Sequence, residues 1–274
     1  MRHFVNLPLS FAAEHEHYID FFMKHKIHPE FGMDTVAVQE LTEDWHRKMA
    51  VLFQEQGLEC TVHLPFFDLH PGSLNDGILE ATRQTLRKAA QLAALYRPVV
   101  LVGHPAYDKG QHPPHHSQWL KRSAETWQMV QERAGGVPLR LENTYEVSPH
   151  PLAELVDLMD EQNDRVFDVG ICFDIGHWFS FGQGQRYSNL DDWLDAFGAR
   201  VRHLHLHDND GTDDLHLGLA SSLIPLEDVF AGLESRGVKT TVTLEPHTEE
   251  DFEISKRYLS GSSPAVAALR RIAV

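Results

Sequence analysis

The sequence is poor in three things. It has two cysteines, Cys60 and Cys172, in 274 residues, which excludes a disulfide framework and a cysteine-rich zinc module. It has no uninterrupted apolar run of about 18 residues, which excludes a hydrophobic membrane-spanning helix. It is poor in positive charge: 24 Lys and Arg stand against 40 Asp and Glu, a formal net charge of −16. That excludes a chain-wide basic footprint for nucleic acid or an anionic membrane, while leaving a local patch open. The apolar stretch from Phe4 to Ala13 is broken by Asn6, Pro8 and Ser10 and runs into Glu14, His15 and Glu16. It reads as a strand and loop rather than a secretory signal, so a cytoplasmic location is expected.

What the sequence does have is apolar content and histidine. Hydrophobic residues make up 42% of the chain, too many for a disordered one, and there are 19 histidines. Short β-like runs alternate with amphipathic helical stretches. The runs are Phe4–Leu7, Ile27–Phe31, Glu59–Leu64, Val99–His104, Pro138–Glu142, Val169–Asp174, Val201–His207 and Thr240–Glu245. Between them, residues such as Leu79, Leu86, Ala90 and Ala93, or Leu226, Val229, Phe230 and Leu233, recur at helical spacing. Eight such units predict an α/β fold: a single (β/α)8 TIM barrel over residues 1–274, with its active site at the C-terminal ends of the strands. An open doubly wound sheet is the rival, but no Gly-x-Gly-x-x-Gly follows the first strand. Two polar loops, Lys109–Ser117 and Gly182–Ser188, fall on the expected active face.

Strand parity points to the site. Side chains alternate across a strand. If Val62, Leu64, Leu101, Leu139, Leu141, Ile171, Phe173, Leu204, Leu206, Val242 and Leu244 face the helices, the opposite parity faces the barrel interior. That parity holds His63, His104, Glu142, Asp174, His203, His205, His207 and Glu245. Six consecutive strands thus aim imidazoles or carboxylates inward near one end. Unpaired buried charge is costly, and divalent cations are the simplest partner. His177, in Asp174-Ile-Gly-His177, and Asp214 and His216 lie just past strand ends. Nitrogen and oxygen donors without cysteine suit zinc or manganese.

The motifs His63-Leu-Pro-Phe, Gly103-His104-Pro, Leu141-Glu142-Asn143, Asp174-Ile-Gly-His177, His205-Leu-His-Asp208, Asp214-Leu-His216 and Leu244-Glu245-Pro246 come one per repeating unit. In this order and spacing the chain resembles the xylose isomerase-like barrel superfamily, which includes endonuclease IV and sugar and sugar-phosphate isomerases and epimerases. The resemblance to endonuclease IV implies three metals. His63, His104 and Glu142 would hold one. Glu142, Asp174, His205 and Glu245 would hold a second, and His177, Asp214 and His216 a third. Isomerase relatives keep Glu142, Asp174, His205 and Glu245 around one metal. The loop after His216 lacks the usual Gly-x-Gly turn, so Asp213 is an alternative to Asp214.

Two activities follow as expectations, with one to three divalent ions per chain. The first is isomerisation or epimerisation of a small sugar or sugar phosphate by proton transfer through an enediolate. Glu142 and Glu245 would move the proton and His177 would orient the substrate oxygen. The second is phosphodiester hydrolysis at a trinuclear centre like that of endonuclease IV. Three divalent ions against four carboxylates would leave about two positive charges for an anion. A binding barrel without catalysis is a third reading. A small carbohydrate is the expected partner, a nucleic acid is disfavoured, no membrane is expected, and the oligomeric state stays open. Phe66, Trp178 and His207 are candidate substrate contacts. His203 and Cys172 read as core residues, Arg140 as half of an interior ion pair, and His112, His115 and His116 as solvated loop residues.

Overall fold

The computed structural model describes residues 1–162, 166–221 and 223–274. Eight parallel strands close into a barrel in chain order. They are β1 (Phe4–Pro8), β2 (His28–Gly32), β3 (Thr61–His63), β4 (Leu101–Gly103), β5 (Leu139–Glu142), β6 (Val169–Asp174), β7 (Val201–Leu206) and β8 (Thr241–Leu244). β8 returns to β1, with Phe4 opposite Thr243. This is the single (β/α)8 barrel that the alternating pattern predicts.

Five of the helices start where the sequence offers a side-chain cap. Asp34, Thr42, Asn75, Thr248 and Ser263 each accept a backbone N–H from the first helical turn. On the helix Asp76–Leu95, the buried stripe includes Leu79, Leu86, Ala90 and Ala93, the residues spaced for it. Val62, Leu101, Leu139, Leu141, Ile171, Phe173, Leu204, Leu206, Val242 and Leu244 are buried in one apolar cluster with the helices. One glycine in the sequence motifs has a packing reason. A Cβ on Gly103 would sit 2.5 Å from the Trp127 ring, which lies against the outer face of β4.

Two expectations need adjusting. The segment after β1 is not an open loop: Leu9–Glu14 forms a short helix that buries Leu9 and Ala12. Several strands are shorter than the β-like runs, because their flanking residues keep parallel hydrogen bonds without full ladder geometry. Val99 N–H donates to Cys60 O at 2.9 Å and Leu64 N–H to Val102 O at 2.8 Å. Among the described residues no helix is long and apolar enough to cross a membrane.

Candidate metal centre

The strand register carries the parity through the barrel. Gly32, His63, Val102 and Arg140 stand in one row; Glu142, Cys172, His203 and Thr241 stand in another; Asp174, His205 and Thr243 stand in a third. The inward side chains near the strand ends therefore meet in the mouth.

They meet in three groups. In the first, His63 Nε2 and His104 Nε2 lie 3.0 and 3.1 Å from Glu142 Oε2 and 3.1 Å from each other. In the second, His205 Nδ1 lies 3.2 Å from Glu245 Oε1, 3.4 Å from Glu142 Oε1 and 3.8 Å from Asp174 Oδ2. In the third, Asp214 Oδ2 lies 3.2 Å from His177 Nε2 and 3.0 Å from His216 Nε2. Glu142 joins the first two groups through its two oxygens. Asp213 is exposed, and its carboxylate accepts the Asp214 N–H at 2.8 Å, so Asp214 is the aspartate that reaches the imidazoles.

Backbone carbonyls fix the rings. His63 Nδ1–H donates to Leu64 O at 2.9 Å, His177 Nδ1–H to Asn143 O at 3.0 Å, and His216 Nδ1–H to Glu245 O at 2.7 Å. Each bond leaves the Nε2 lone pair facing the group. Asp174 ends β6 and caps the helix Ile175–Ser180: its Oδ1 accepts the His177 N–H at 2.6 Å. The cap orients the carboxylate and turns Oδ2 into the barrel. Asn143 holds the same corner, accepting the Asp174 N–H and donating to Asp174 O, both at 2.9 Å. His216 adopts φ 51°, a backbone conformation rare outside glycine, which functional positions tolerate when the surroundings hold it.

These groups fit cations. Asp174 Oδ2, His205 Nδ1 and Asp214 Oδ1 are buried with no hydrogen-bond partner among the described residues. Buried polar atoms left open in this way are rare unless something else completes them. The titration directions divide: Glu142, Asp174 and His104 are held in the ligating form, while His63, His177, His205, His216 and Glu245 are pushed toward the protonated one. Burial raises the Glu142 carboxyl, but the charges of His205 and His104 outweigh it and hold the group well below the carboxylate range. Burial also raises Asp174, and the charges of His177 and His207 reverse that. Burial lowers His104 to about 4, the neutral form a metal requires. Burial would lower His216 too, but Asp214 and Glu245 lift it to about 9. Burial raises the Glu245 carboxyl despite His205 and His216.

The groups open into a cavity of about 480 Å³, within the range of small-molecule sites. Phe66 stands at its wall, 4.3 Å from the His104 ring centroid, and Phe67, Tyr145 and Met33 also face it. Trp178 does not. It is 1% exposed, its Nε1–H donates to Asn189 Oδ1 at 3.0 Å, and it packs near Phe173. His207 is buried behind the wall, stacked on His216 at 4.0 Å, with Nε2 3.3 Å from Asp174 Oδ1. A Cβ on Gly176 would fall 1.9 Å from His207 Cε1, so the glycine of Asp174-Ile-Gly-His177 makes room for that ring.

Three more residues change places. His112 is not solvated: it is buried, accepts the Asp108 N–H at 2.8 Å and lies against Tyr107 and Trp119. Two residues close to the site escaped the motif reading. Glu30 on β2 is 1% exposed, and its Oε1 lies 3.0 Å from His205 Nε2. Its Oε2 accepts from Thr61 and Thr243 hydroxyls at 2.7 and 2.9 Å. Its inward parity on β2 was the available signal. His247 lines the cavity and stacks on His216 at 4.0 Å; it lies two residues past Glu245, in a loop with no parity to read.

A model of the xylose isomerase-like TIM barrel matches residues 25–269. The chain belongs to that family. It is 30% identical over 227 residues to an uncharacterized protein of Methanocaldococcus jannaschii, covering 78% of this chain and 75% of that one. Among solved structures, a D-tagatose 3-epimerase-like protein is similar at TM-score 0.74 and 24% identity, covering 99% and 98% of the two chains. A Thermus thermophilus protein soaked with ZnCl2 is similar at TM-score 0.74 and 25% identity, over 96% and 100%. Endonuclease IV of Thermus thermophilus shares the fold at TM-score 0.66 and 19% identity, over 99% and 100%. Proteins of this fold thus include an epimerase-like protein and an endonuclease, and this chain carries clusters of metal-capable histidines and carboxylates.

Proposed function

We propose that this protein is a metal-dependent phosphodiester hydrolase acting on a small organic ester rather than on DNA. The observation that carries the reading is the convergence of His63, His104, Glu142, Asp174, His177, His205, Asp214, His216 and Glu245 into three donor groups. Isomerisation over one metal uses four of them. The other five, His177 buried and His63, His104, Asp214 and His216 half-buried, would then be drawn together for no chemical return, and polar groups taken from water are expensive. Up to three zinc or manganese ions, when bound there, would acidify a water molecule and draw charge from the ester oxygens.

The chain's own part is placement. Leu64, Asn143 and Glu245 carbonyls keep three imidazoles in the ligating tautomer. Phe66 shields the His63 and His104 side from water. In the reaction a water oxygen bonds to phosphorus, the bond from phosphorus to the departing ester oxygen breaks, and a proton ends on that oxygen as an alcohol. No lysine or arginine lines the cavity among the described residues, so recognition of the anion falls to the metal centre. The same lack of cations, with the net charge of −16, speaks against gripping a duplex.

A single-metal sugar epimerase is the second reading. It draws support from Glu142, Asp174 and Glu245 all meeting His205 Nδ1 and from the fold shared with the D-tagatose 3-epimerase-like protein. Elemental analysis of the purified protein, paired with turnover of bis(p-nitrophenyl) phosphate and of a ketose panel, decides between them. Near three metals and ester cleavage are expected; near one metal with sugar epimerisation would replace the first reading by the second.

A further inference from the structure

A second cavity, of about 240 Å³, lies beside the metal cavity. Its walls are mostly apolar: Val5 and Leu7 from β1, Phe21 and Phe22 from the helix His17–His25, Ile27, and Phe252 from the helix Glu249–Ser260, with Thr248 and Glu249 on its polar side. The two cavities share Asn6, Pro8 and His247. His247 is the ring stacked on His216, so the partition stands one imidazole away from the Asp214–His216 group. At the polar edge Tyr18 and Glu249, one from each helix, line the opening together.

This space lies between strand tips and the helix layer, where side chains ordinarily pack to crystal density. An apolar void leaves its lining without contacts on one side. An engineered apolar cavity of roughly 150 Å³ takes a benzene ring; this one has room for a substituted ring or a fused pair. A sugar or a charged group there would lie mostly against phenyl and alkyl walls, with polar side chains only at the edge formed by Asn6, Tyr18, His247, Thr248 and Glu249.

We propose that this cavity is a substrate subsite that receives an uncharged aromatic ring of the ester whose phosphate meets the metal centre. Asn6, Pro8 and His247 border both cavities, so a ring here lies next to the ligand of the larger one. The assignment of the ring to an ester rests on the hydrolase reading; the binding of the ring does not.

The test uses Ile27→Trp, which fills the cavity from a half-buried position outside the metal groups. Binding of 1-naphthol to the metal-free protein is read by its fluorescence. Turnover of the metal-loaded protein is compared on 1-naphthyl p-nitrophenyl phosphate and methyl p-nitrophenyl phosphate. The wild type is expected to bind one naphthol and to show a KM for the naphthyl ester lower by about tenfold or more. Ile27→Trp is expected to lose naphthol and erase the KM difference, with kcat and metal content unchanged. Phe252→Leu, which enlarges the cavity, is expected to keep naphthol and gain a three-ring alcohol, so the proposal stays testable if the tryptophan variant fails to fold. Absence of naphthol binding, or a KM ratio that survives Ile27→Trp, overturns the subsite. Naphthol binding with no cleavage of either ester overturns the hydrolase reading and leaves the subsite standing.

Discussion

The interior of the barrel has two ends, and they treat the same kinds of residue differently. At the floor, Arg140 is buried and its guanidinium donates to both Asp168 oxygens, at 3.0 and 2.7 Å, while Arg202 pairs with the same carboxylate. One layer up, His203 bonds to Thr241, Thr243 and Glu30. At the mouth, Asp174 Oδ2, His205 Nδ1 and Asp214 Oδ1 have no such partners. Polarity inside a barrel is therefore no mark of a site, nor is one open polar atom such as Arg140 Nε; several open donor atoms converging from separate strands are. The floor is mostly paired, with Arg140 Nε its one open atom among those named, whereas the mouth gathers several open atoms from different strands in one place.

The sharpest way to break this contrast is at Glu142, the residue shared by two groups. Glu142→Ala is expected to lose at least one metal per chain by elemental analysis and to reduce turnover below detection, while circular dichroism stays that of the barrel. Glu30 tests the layer between the two ends. Glu30→Gln removes the charge under His205 without removing a donor atom, and metal affinity is expected to fall about 10- to 100-fold by competition with a chelator. A fold-wide loss of stability with unchanged affinity would make Glu30 a floor residue instead. At the floor itself, Arg140→Met is expected to lower stability by about 1–3 kcal/mol in urea titration, the scale of an unpaired buried group next to a half-exposed partner. Its metal content should equal the wild type's.

The smallest effect is the pH dependence of the metal-free protein. His216 is lifted from 6.5 to about 9, so what it contributes is whole below pH 6.5 and is lost as pH rises through about 9. His104 is pushed from 6.5 to about 4, so the folded state takes up that proton later than the unfolded one, and stability falls as pH drops from 6.5 toward 4. Thermal unfolding of chelated protein is expected to peak near pH 6.5 and decline on both sides. Metal-loaded protein should show a flatter profile, since bound ions replace these protons.

Much of this layout was legible in the chain. From β3 to β8, alternation alone separates Leu204 and Leu206 from His203 and His205, because a parallel strand buried on both faces has only two directions to offer. Six of the nine converging residues, His63, His104, Glu142, Asp174, His205 and Glu245, were readable for the same reason; His177, Asp214 and His216 lie past strand ends and were read from short motifs. Glu30 was not, because the comparison of parities began at β3, although Phe31 beside it is as apolar as Val62. Trp178 misled because it follows a converging residue directly, yet a helix beginning at Ile175 swings the next side chain through about 100° and away from the cavity. His112 was hidden by its neighbours: a stretch rich in proline and histidine looks solvated until Tyr107 and Trp119 fold over it. Loops after strands obey no period, and so His247 left no trace.

Three imidazoles stand in a column at the mouth, His207 on His216 and His216 on His247, each pair 4.0 Å apart. The column rests on a residue with no side chain, Gly176. Its far end is the wall of the apolar side cavity. A lone methyl group introduced at the base would collide with the lowest ring, so the footing of the whole column depends on a single missing carbon.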